Sequence, residues 1–209
     1  MTRPEPSTSS RPQYAERSYR PPAALAGGVL LILLGLWLGG DALLRGTVHT
    51  KLTAAFALLL VVPLVAAFSL RPLVRANEDR LLVRNPFRTI TLPWAAVEDL
   101  RARFSAEVFV NGGGKYQLWA VPVSLRQRKK AARQASRGPG ANRPRFGLHA
   151  DAGPAPKAMA DQTLAELHEI KERATGRETA QGAPQIRWSY AILAPALAGA
   201  VGLAVMVAL

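Results

Sequence analysis

The sequence contains no cysteine, which excludes disulfides, thiolate zinc sites and thiol catalysis. Histidine is also scarce, and His49, His149 and His168 lie in separate segments without the spacing of metal ligands. Signatures of serine hydrolases, zinc enzymes and phosphoryl transfer are missing. We therefore predict a protein that is not an enzyme and that uses no metal or cofactor.

Acidic residues are few. The sequence contains 14 Asp and Glu and 27 Lys and Arg, which gives a net charge of +13. Three stretches carry no charge at all: residues 23–40, 52–70 and 190–209. A helix needs roughly 20 apolar residues to cross about 30 Å of hydrocarbon, and these stretches lack the polar face of a soluble helix. They predict three transmembrane helices. No A-x-A-like site follows the first, so we expect a retained span rather than a cleaved signal peptide.

The placement of the basic residues predicts the orientation of these spans. Several arginines precede the first span, and the connection to the second carries only Arg45 and Lys51. Most of the other basic residues lie between the second and third spans. Since the side richer in Lys and Arg stays in the cytoplasm, we predict a multi-pass protein of the cell (cytoplasmic) membrane. Its amino terminus and residues 71–187 would be cytoplasmic, its carboxyl terminus outside, and residues 23–70 a transmembrane hairpin.

Small residues recur within the spans. Gly35 and Gly39 are spaced as G-x-x-x-G, and Ala198 and Gly202 form a similar pair. Such pairs let helices approach closely, either within one chain or between two chains. Packing within the chain is the favoured interpretation, and dimerisation is the alternative.

The polar parts of the chain differ in character. Residues 1–22 are rich in Pro, Ser and Arg and predict a disordered cytoplasmic tail. Residues 71–124 alternate polar and apolar side chains in short runs, as antiparallel strands joined by tight turns do. Residues 125–157 predict a basic, Gly/Pro-rich loop. Residues 158–177 predict an amphipathic helix, with an apolar face of Leu164, Leu167, Ile170 and Ala174.

Several side chains within the predicted sheet have an expected place. Trp94 is expected in the core rather than on a ligand platform. Phe104, Val108 and Val110 are expected to point inward. The glycines at 112–114 predict a hairpin turn rather than a phosphate cradle, because the G-x-x-x-x-G-K-[ST] spacing is absent. Strands followed by one amphipathic helix predict an α+β domain in which the helix caps a curved sheet.

The segment NEDRLLVRNPFRTITLPWAAVEDLRA resembles the bacterial pleckstrin-homology-like (PH-like) domain of the low-molecular-weight protein antigen 6 family. The resemblance is carried by the strands at 80–85 and 88–92, by Pro93-Trp94 followed by Val97, and by residues 116–120, which match the closing strand in character. It covers residues 71–124 and implies a seven-stranded bent antiparallel sheet capped by one helix. Members of the family often follow a pair of membrane helices. The third span and the long basic insertion depart from the short version of the family.

The predicted basic loop is the candidate site. Near an anionic membrane surface each Lys or Arg contributes about 1 kcal/mol of attraction. The residues expected to contact anionic headgroups are Arg126, Arg128, Lys129, Lys130 and Arg133. The alternative interpretation is a solvated loop whose charge only sets the orientation of the spans. Nucleic-acid binding is not expected, because Tyr116 and Trp119 lie in a predicted strand without a stacking pattern.

These observations favour a non-enzymatic membrane protein with a cytoplasmic PH-like domain that acts as a binding or scaffold module. Its expected partners are the lipid bilayer and either a protein or anionic lipid headgroups. The alternative is an accessory subunit of a membrane transport or envelope complex that associates through its spans. A membrane enzyme of unknown chemistry is the third hypothesis, and no residue pattern supports it.

Overall fold

The structure is a computed structural model that describes residues 17–124, 126 and 159–208. The helices are α1 (Pro22–Arg45), α2 (Val48–Val65), α3 (Met159–Ala174) and α4 (Tyr190–Ala208). The strands are β1 (Arg17–Tyr19), β2 (Leu73–Ala76), β3 (Arg80–Arg84), β4 (Arg88–Pro93), β5 (Val97–Ala102), β6 (Ala106–Val110), β7 (Gly114–Gln117) and β8 (Gln185–Trp188). One turn of π-helix, Ala66–Leu70, continues α2.

Among the described residues, three helices are long and apolar enough to cross a membrane: Pro22–Arg45, Val48–Leu70 and Tyr190–Ala208. The first two contain the uncharged stretches 23–40 and 52–70, and the third covers residues 190–208 of the last stretch. The first two are longer than those stretches because local signals extend them. Pro22 occupies the first turn of α1, where a missing N–H costs nothing. The Thr47 hydroxyl caps α2 by accepting a hydrogen bond from the Thr50 amide at 3.3 Å.

Close packing of these helices depends on glycine. A Cβ added to Gly199 of α4 would lie 2.5 Å from the Leu60 amide nitrogen of α2, and one added to Gly202 would lie 2.2 Å from the Phe56 ring. At Gly39 of α1 it would lie 2.7 Å from the Leu58 side chain. Gly39 and Gly202 therefore pack within the chain, as the favoured interpretation of their spacing predicts. A Cβ added to Gly35 would meet nothing within 4 Å.

The strands form two antiparallel sheets, one of five strands in the order β1-β2-β3-β4-β8 and one of three in the order β5-β6-β7. Their inner faces enclose a core around Trp94, which is 0% exposed. The Trp94 indole also donates a hydrogen bond to the Asn77 carbonyl at 2.7 Å. Helix α3 closes the core with Leu164 and Leu167, while Ile170 packs at its margin. The core position expected of Trp94 is therefore confirmed.

Two outer strands of the larger sheet were not predicted. Arg17–Tyr19 lies within the predicted disordered tail, and that prediction is wrong for residues 17–22 because β1 pairs with β2 and α1 begins at Pro22. Residues 1–16 lie outside the described residues. Strand β8 pairs with β4 although its four side chains are all exposed. Strands this short have no readable polar–apolar pattern, so only their pairing reveals them.

The inward position expected of Phe104 is also wrong, because its side chain is 86% exposed. The Arg103 amide bonds to the Ser105 carbonyl, so residues 103–105 form the turn between β5 and β6 and alternation stops there. Val108 and Val110 are buried, as expected. Gly112 and Gly113 have φ values of 89° and 87° and make the predicted turn. Strand β7 ends at Gln117, so it includes only the first two of residues 116–120, which resemble the closing strand of the family.

Polar contacts hold α3 on β5. Asp99 accepts a hydrogen bond from Arg101 at 2.5 Å and lies 3.3 Å from the His168 ring nitrogen of α3. Lys171 donates a hydrogen bond to the Glu98 carbonyl. The hydrogen bond from Arg101, aided by the Leu100 amide and His168, lowers the pKa of Asp99 to about 2. The hydrogen bond from Arg101 on the same strand, and to a smaller extent the contact with His168 of α3, therefore favours the ionised carboxylate of Asp99.

We expect this carboxylate to make the stability of the domain depend on acidity. Because the folded pKa lies below the unfolded value of about 3.9, the contribution is complete above that pH and is lost as pH falls toward 2. Asp99 is about a third exposed, so solvent screening limits the effect to on the order of 1 kcal/mol. Thermal unfolding of the full chain in detergent should show this loss, and Asp99→Asn should remove it. Glu98→Gln on the same strand is the control, and an equal effect of both substitutions would contradict the assignment.

Candidate functional site

The larger sheet joins the apolar helices at a single end. Strand β1 leads into α1, β2 follows the π-helical turn after α2, and β8 leads into α4. Pairing of Tyr19 with Val74, and of Arg88 with Trp188, places these strand ends side by side. We call this the helical end of the sheet, and the opposite end, at residues 77–79, the far end. Three chain connections therefore fix the sheet to the helices.

Arg71 links two of these connections to the turn between β3 and β4. Its guanidinium donates to the Asn85 carbonyl at 3.0 Å, to the Thr89 hydroxyl at 3.1 Å and to the Ser189 hydroxyl. The Ser189 amide in turn bonds to the Phe87 carbonyl at 2.8 Å. Burial, followed by the nearby Arg84, lowers the pKa of Arg71. One side chain thus joins the end of α2, the turn at residues 85–87 and the start of α4.

Aromatic contacts reinforce the same junction. Phe68, in the π-helical turn, meets the Phe87 ring edge-on, with the two centroids 5.3 Å apart. It meets the Trp119 ring on its other side, with a centroid separation of 5.5 Å. Such pairs stabilise by about 0.5–1.5 kcal/mol beyond the burial of their area. Phe68 therefore couples α2 to the turn at the helical end and to the segment that follows β7.

The far end carries a pocket of about 210 Å³ with guanidinium groups at its wall. It lies where β1, the turn between β2 and β3, and the end of α3 meet. Its lining residues are Arg17, Asn77, Glu78, Ile170, Arg173, Ala174 and Arg177. Arg177 forms an ion pair with Glu78. Since three arginines and one glutamate line the far-end pocket, its lining carries an excess of positive charge.

Local contacts explain why these arginines converge. The Tyr19 hydroxyl donates a hydrogen bond to the Glu166 carboxylate at 2.5 Å, which holds β1 against α3. Burial and this hydrogen bond raise the pKa of Tyr19. The Asn77 side chain accepts hydrogen bonds from the Asp79 and Arg80 amides at 3.0 and 2.7 Å and shapes the turn. The Arg177 amide bonds to the Ala174 carbonyl just after α3 ends.

The sequence predicted a different candidate site, the basic cluster from Arg126 to Arg133. Of the five residues expected to contact headgroups, Arg126 is exposed, whereas Arg128, Lys129, Lys130 and Arg133 lie outside the described residues. Their contact with lipid stays a prediction. The far-end pocket was missed because Arg17 stood in the predicted tail, about 150 residues from the helix it approaches. The spacing of Arg173 and Arg177 by four residues was the one available signal.

Within residues 17–124 and 159–208, no three His, Asp or Glu side chains are grouped closely enough to hold a metal ion. The arrangement at the far end offers guanidinium donors that suit the two oxygens of a carboxylate or a phosphate.

Comparison with known proteins identifies the sheet. Residues 71–155 match the family model of the bacterial PH domain. No curated protein and no solved structure matches the chain. The matched segment contains β2 to β7, whereas β1, α3 and β8 lie outside it. The expected PH-like domain is therefore confirmed, and the narrower resemblance to the antigen 6 family stays a prediction.

We expect Arg71→Gln to loosen the junction. The substitution removes charged hydrogen bonds to three partly buried acceptors, which stabilise the junction by about 1.5–3 kcal/mol each when desolvated. Hydrogen exchange of the full chain in detergent should then be faster at the Ser189 amide. Arg75→Gln, which changes an exposed side chain on β2, is the matched control. Equal exchange rates in the two variants would show that Arg71 does not hold α4 to the turn.

Proposed function

We propose that this chain, which contains a bacterial PH domain, is a non-enzymatic membrane protein that presents the domain to the cytoplasm as a binding module. Three helices of sufficient length and apolarity support membrane insertion, and the excess of basic residues between the second and third supports a cytoplasmic domain. The amino terminus would then share the cytoplasm with residues 71–187, and the carboxyl terminus would lie outside.

The partner that we propose is an acidic segment of a cytoplasmic protein, bound at the far-end pocket. The single observation that carries this proposal is that three arginines line one pocket in which Glu78, paired with Arg177, is the one lining carboxylate. Strand β2 has four residues and spans about 13 Å from the helical end, so headgroups of the same bilayer lie away from the pocket. Guanidinium groups bind carboxylates bidentately, and Ile170 and Ala174 supply an apolar floor beside them.

Contact between the basic cluster at Arg126 to Arg133 and anionic headgroups is compatible with this module. Its positive charge would be attracted to the inner leaflet, and each residue near the surface would add about 1 kcal/mol. In this proposal the cluster serves the attachment of the domain, whereas the far-end pocket selects the partner. Nucleic acid is not a proposed partner.

A fluorescent hexaglutamate peptide tests the pocket on the full chain in lipid nanodiscs. We expect the double variant Arg17→Gln/Arg173→Gln to weaken binding about tenfold or more, because two charged contacts are lost. The variant Lys115→Gln/Arg187→Gln removes the same charge from exposed side chains outside the pocket lining and should bind as the wild type does. Fluorescence anisotropy measures both. Equal weakening by the two variants would mean unspecific attraction, and no effect of the first would reject the pocket.

One observation favours the alternative of an accessory subunit. Gly35 of α1 meets no neighbouring atom, although Gly39 one turn later packs on α2. An open glycine permits close approach of a helix from another protein.

If span contacts assemble such a complex, a photo-crosslinker on Leu31→Cys should capture one defined partner in native membranes. Gly35→Leu should abolish that product, because the added side chain would separate the helices. A crosslinker on Glu98→Cys in the domain is the matched control. Capture at position 98 alone would favour the binding module instead.

A further inference from the structure

Phe104 is the most exposed large apolar side chain in the described part of the domain, at 86%. It lies at the tip of the β5–β6 turn, between Arg103 and Ser105. A single exposed apolar residue needs no explanation by itself. The position of Phe104 and the charged residues beside it suggest a reason for its exposure.

The β5–β6 turn points toward the helical end. The Leu118 amide bonds to the Ala106 carbonyl at 2.8 Å, and the next residue, Trp119, contacts Phe68 in the π-helical turn. The Asn85 amide group also donates to the Gln117 carbonyl at 2.9 Å, which joins this region to the turn at the helical end. The start of β6 therefore lies beside the helices.

The other end of β6 lies away from them. The Asn111 amide bonds to the Ala96 carbonyl at 3.0 Å, next to the Trp94 side chain that bonds to Asn77 at the far end. Strand β6 thus runs from the helical end toward the far end. Residues 103–105, which precede it, extend beyond its start toward the plane in which the apolar helices would meet the membrane surface.

The charges beside Phe104 suit an anionic surface. Arg103 is exposed, and Arg101 is held in place by Asp99 and by the Phe109 ring, whose centroid lies 4.9 Å from the guanidinium carbon. Arginine and aromatic side chains together favour the boundary between headgroups and acyl chains, where the ring meets lipid and the guanidinium meets phosphate. The exposure of Phe104, its position and the charge of its neighbours are therefore all compatible with the boundary between lipid headgroups and acyl chains.

We propose that the tip formed by Arg103 and Phe104 enters the headgroup region of the membrane that holds the three helices. The Phe104 ring lies among the lipids at the base of the headgroups, and Arg103 binds anionic headgroups. This contact rests on the proposed membrane placement and adds a lipid-specific attachment beside the covalent connections.

The absence of cysteine makes a direct test simple, because a single introduced thiol can be labelled selectively. Ser105→Cys carries the environment-sensitive dye NBD in the full chain, reconstituted in vesicles of phosphatidylcholine mixed with phosphatidylglycerol. We expect blue-shifted emission and strong quenching by doxyl-labelled lipids. The same dye on Asn111→Cys, at the opposite end of β6, should show the emission of an aqueous probe.

Substitutions at the tip separate its two components. Phe104→Ser should reduce quenching of the dye at position 105 severalfold. Arg103→Gln should do so in the mixed vesicles and have less effect in phosphatidylcholine alone, whereas Arg80→Gln should leave quenching unchanged in both. Aqueous emission from the dye at position 105, or quenching that Phe104→Ser does not alter, would overturn the proposed contact.

A third probe distinguishes two outcomes: rejection of this contact alone, and rejection of the proposed function as well. NBD on Leu31→Cys lies in the middle of α1 and should be quenched in every inserted chain. Quenching at position 31 without quenching at position 105 would reject the tip and leave membrane insertion intact. Absence of quenching at both positions would reject both proposals.

Discussion

The pairing of β1 with β2 and of β8 with β4 is the constraint on which the arrangement of the whole chain depends. Each outer strand is bonded to the sheet through its backbone and leads within a few residues into an apolar helix. A flexible linker would let the domain turn freely, whereas paired strands transmit position from helix to sheet. Arg71 strengthens this constraint, since it bonds to the turn at residues 85–87 and to Ser189 at the same time.

Attachment through β1, β2 and β8 places the two ends of the domain at different distances from the helices. The far-end pocket is separated from the helices by the length of the strands. The turn that bears Phe104 lies at the opposite end, beside the aromatic contacts of Phe68. Both features belong to one domain, so the proposed binding at the far end and the proposed contact at the helical end involve separate surfaces of it.

Sequence reasoning was most successful where many residues repeat one pattern. The uncharged runs predicted three apolar helices, alternation predicted β3 and β4, and the general tendency of tryptophan to be buried predicted the position of Trp94. It failed where a few residues depend on distant partners. Strand β1 exists because β2 and Glu166 bind it, Phe104 is exposed because the chain turns at Arg103, and the arginines of the far-end pocket converge only in three dimensions. Such positions follow from tertiary contacts, which local periodicity does not contain.

The shortness of β1 and β8 affects how readily the edges of the larger sheet could pair with another chain. A sheet edge with free backbone groups is a template on which another chain can add a strand, and proteins confined to a surface meet one another often. Both edges of the larger sheet are strands of three or four residues. Strands this short offer few free backbone groups, so the edges of the larger sheet give another chain little on which to add a strand.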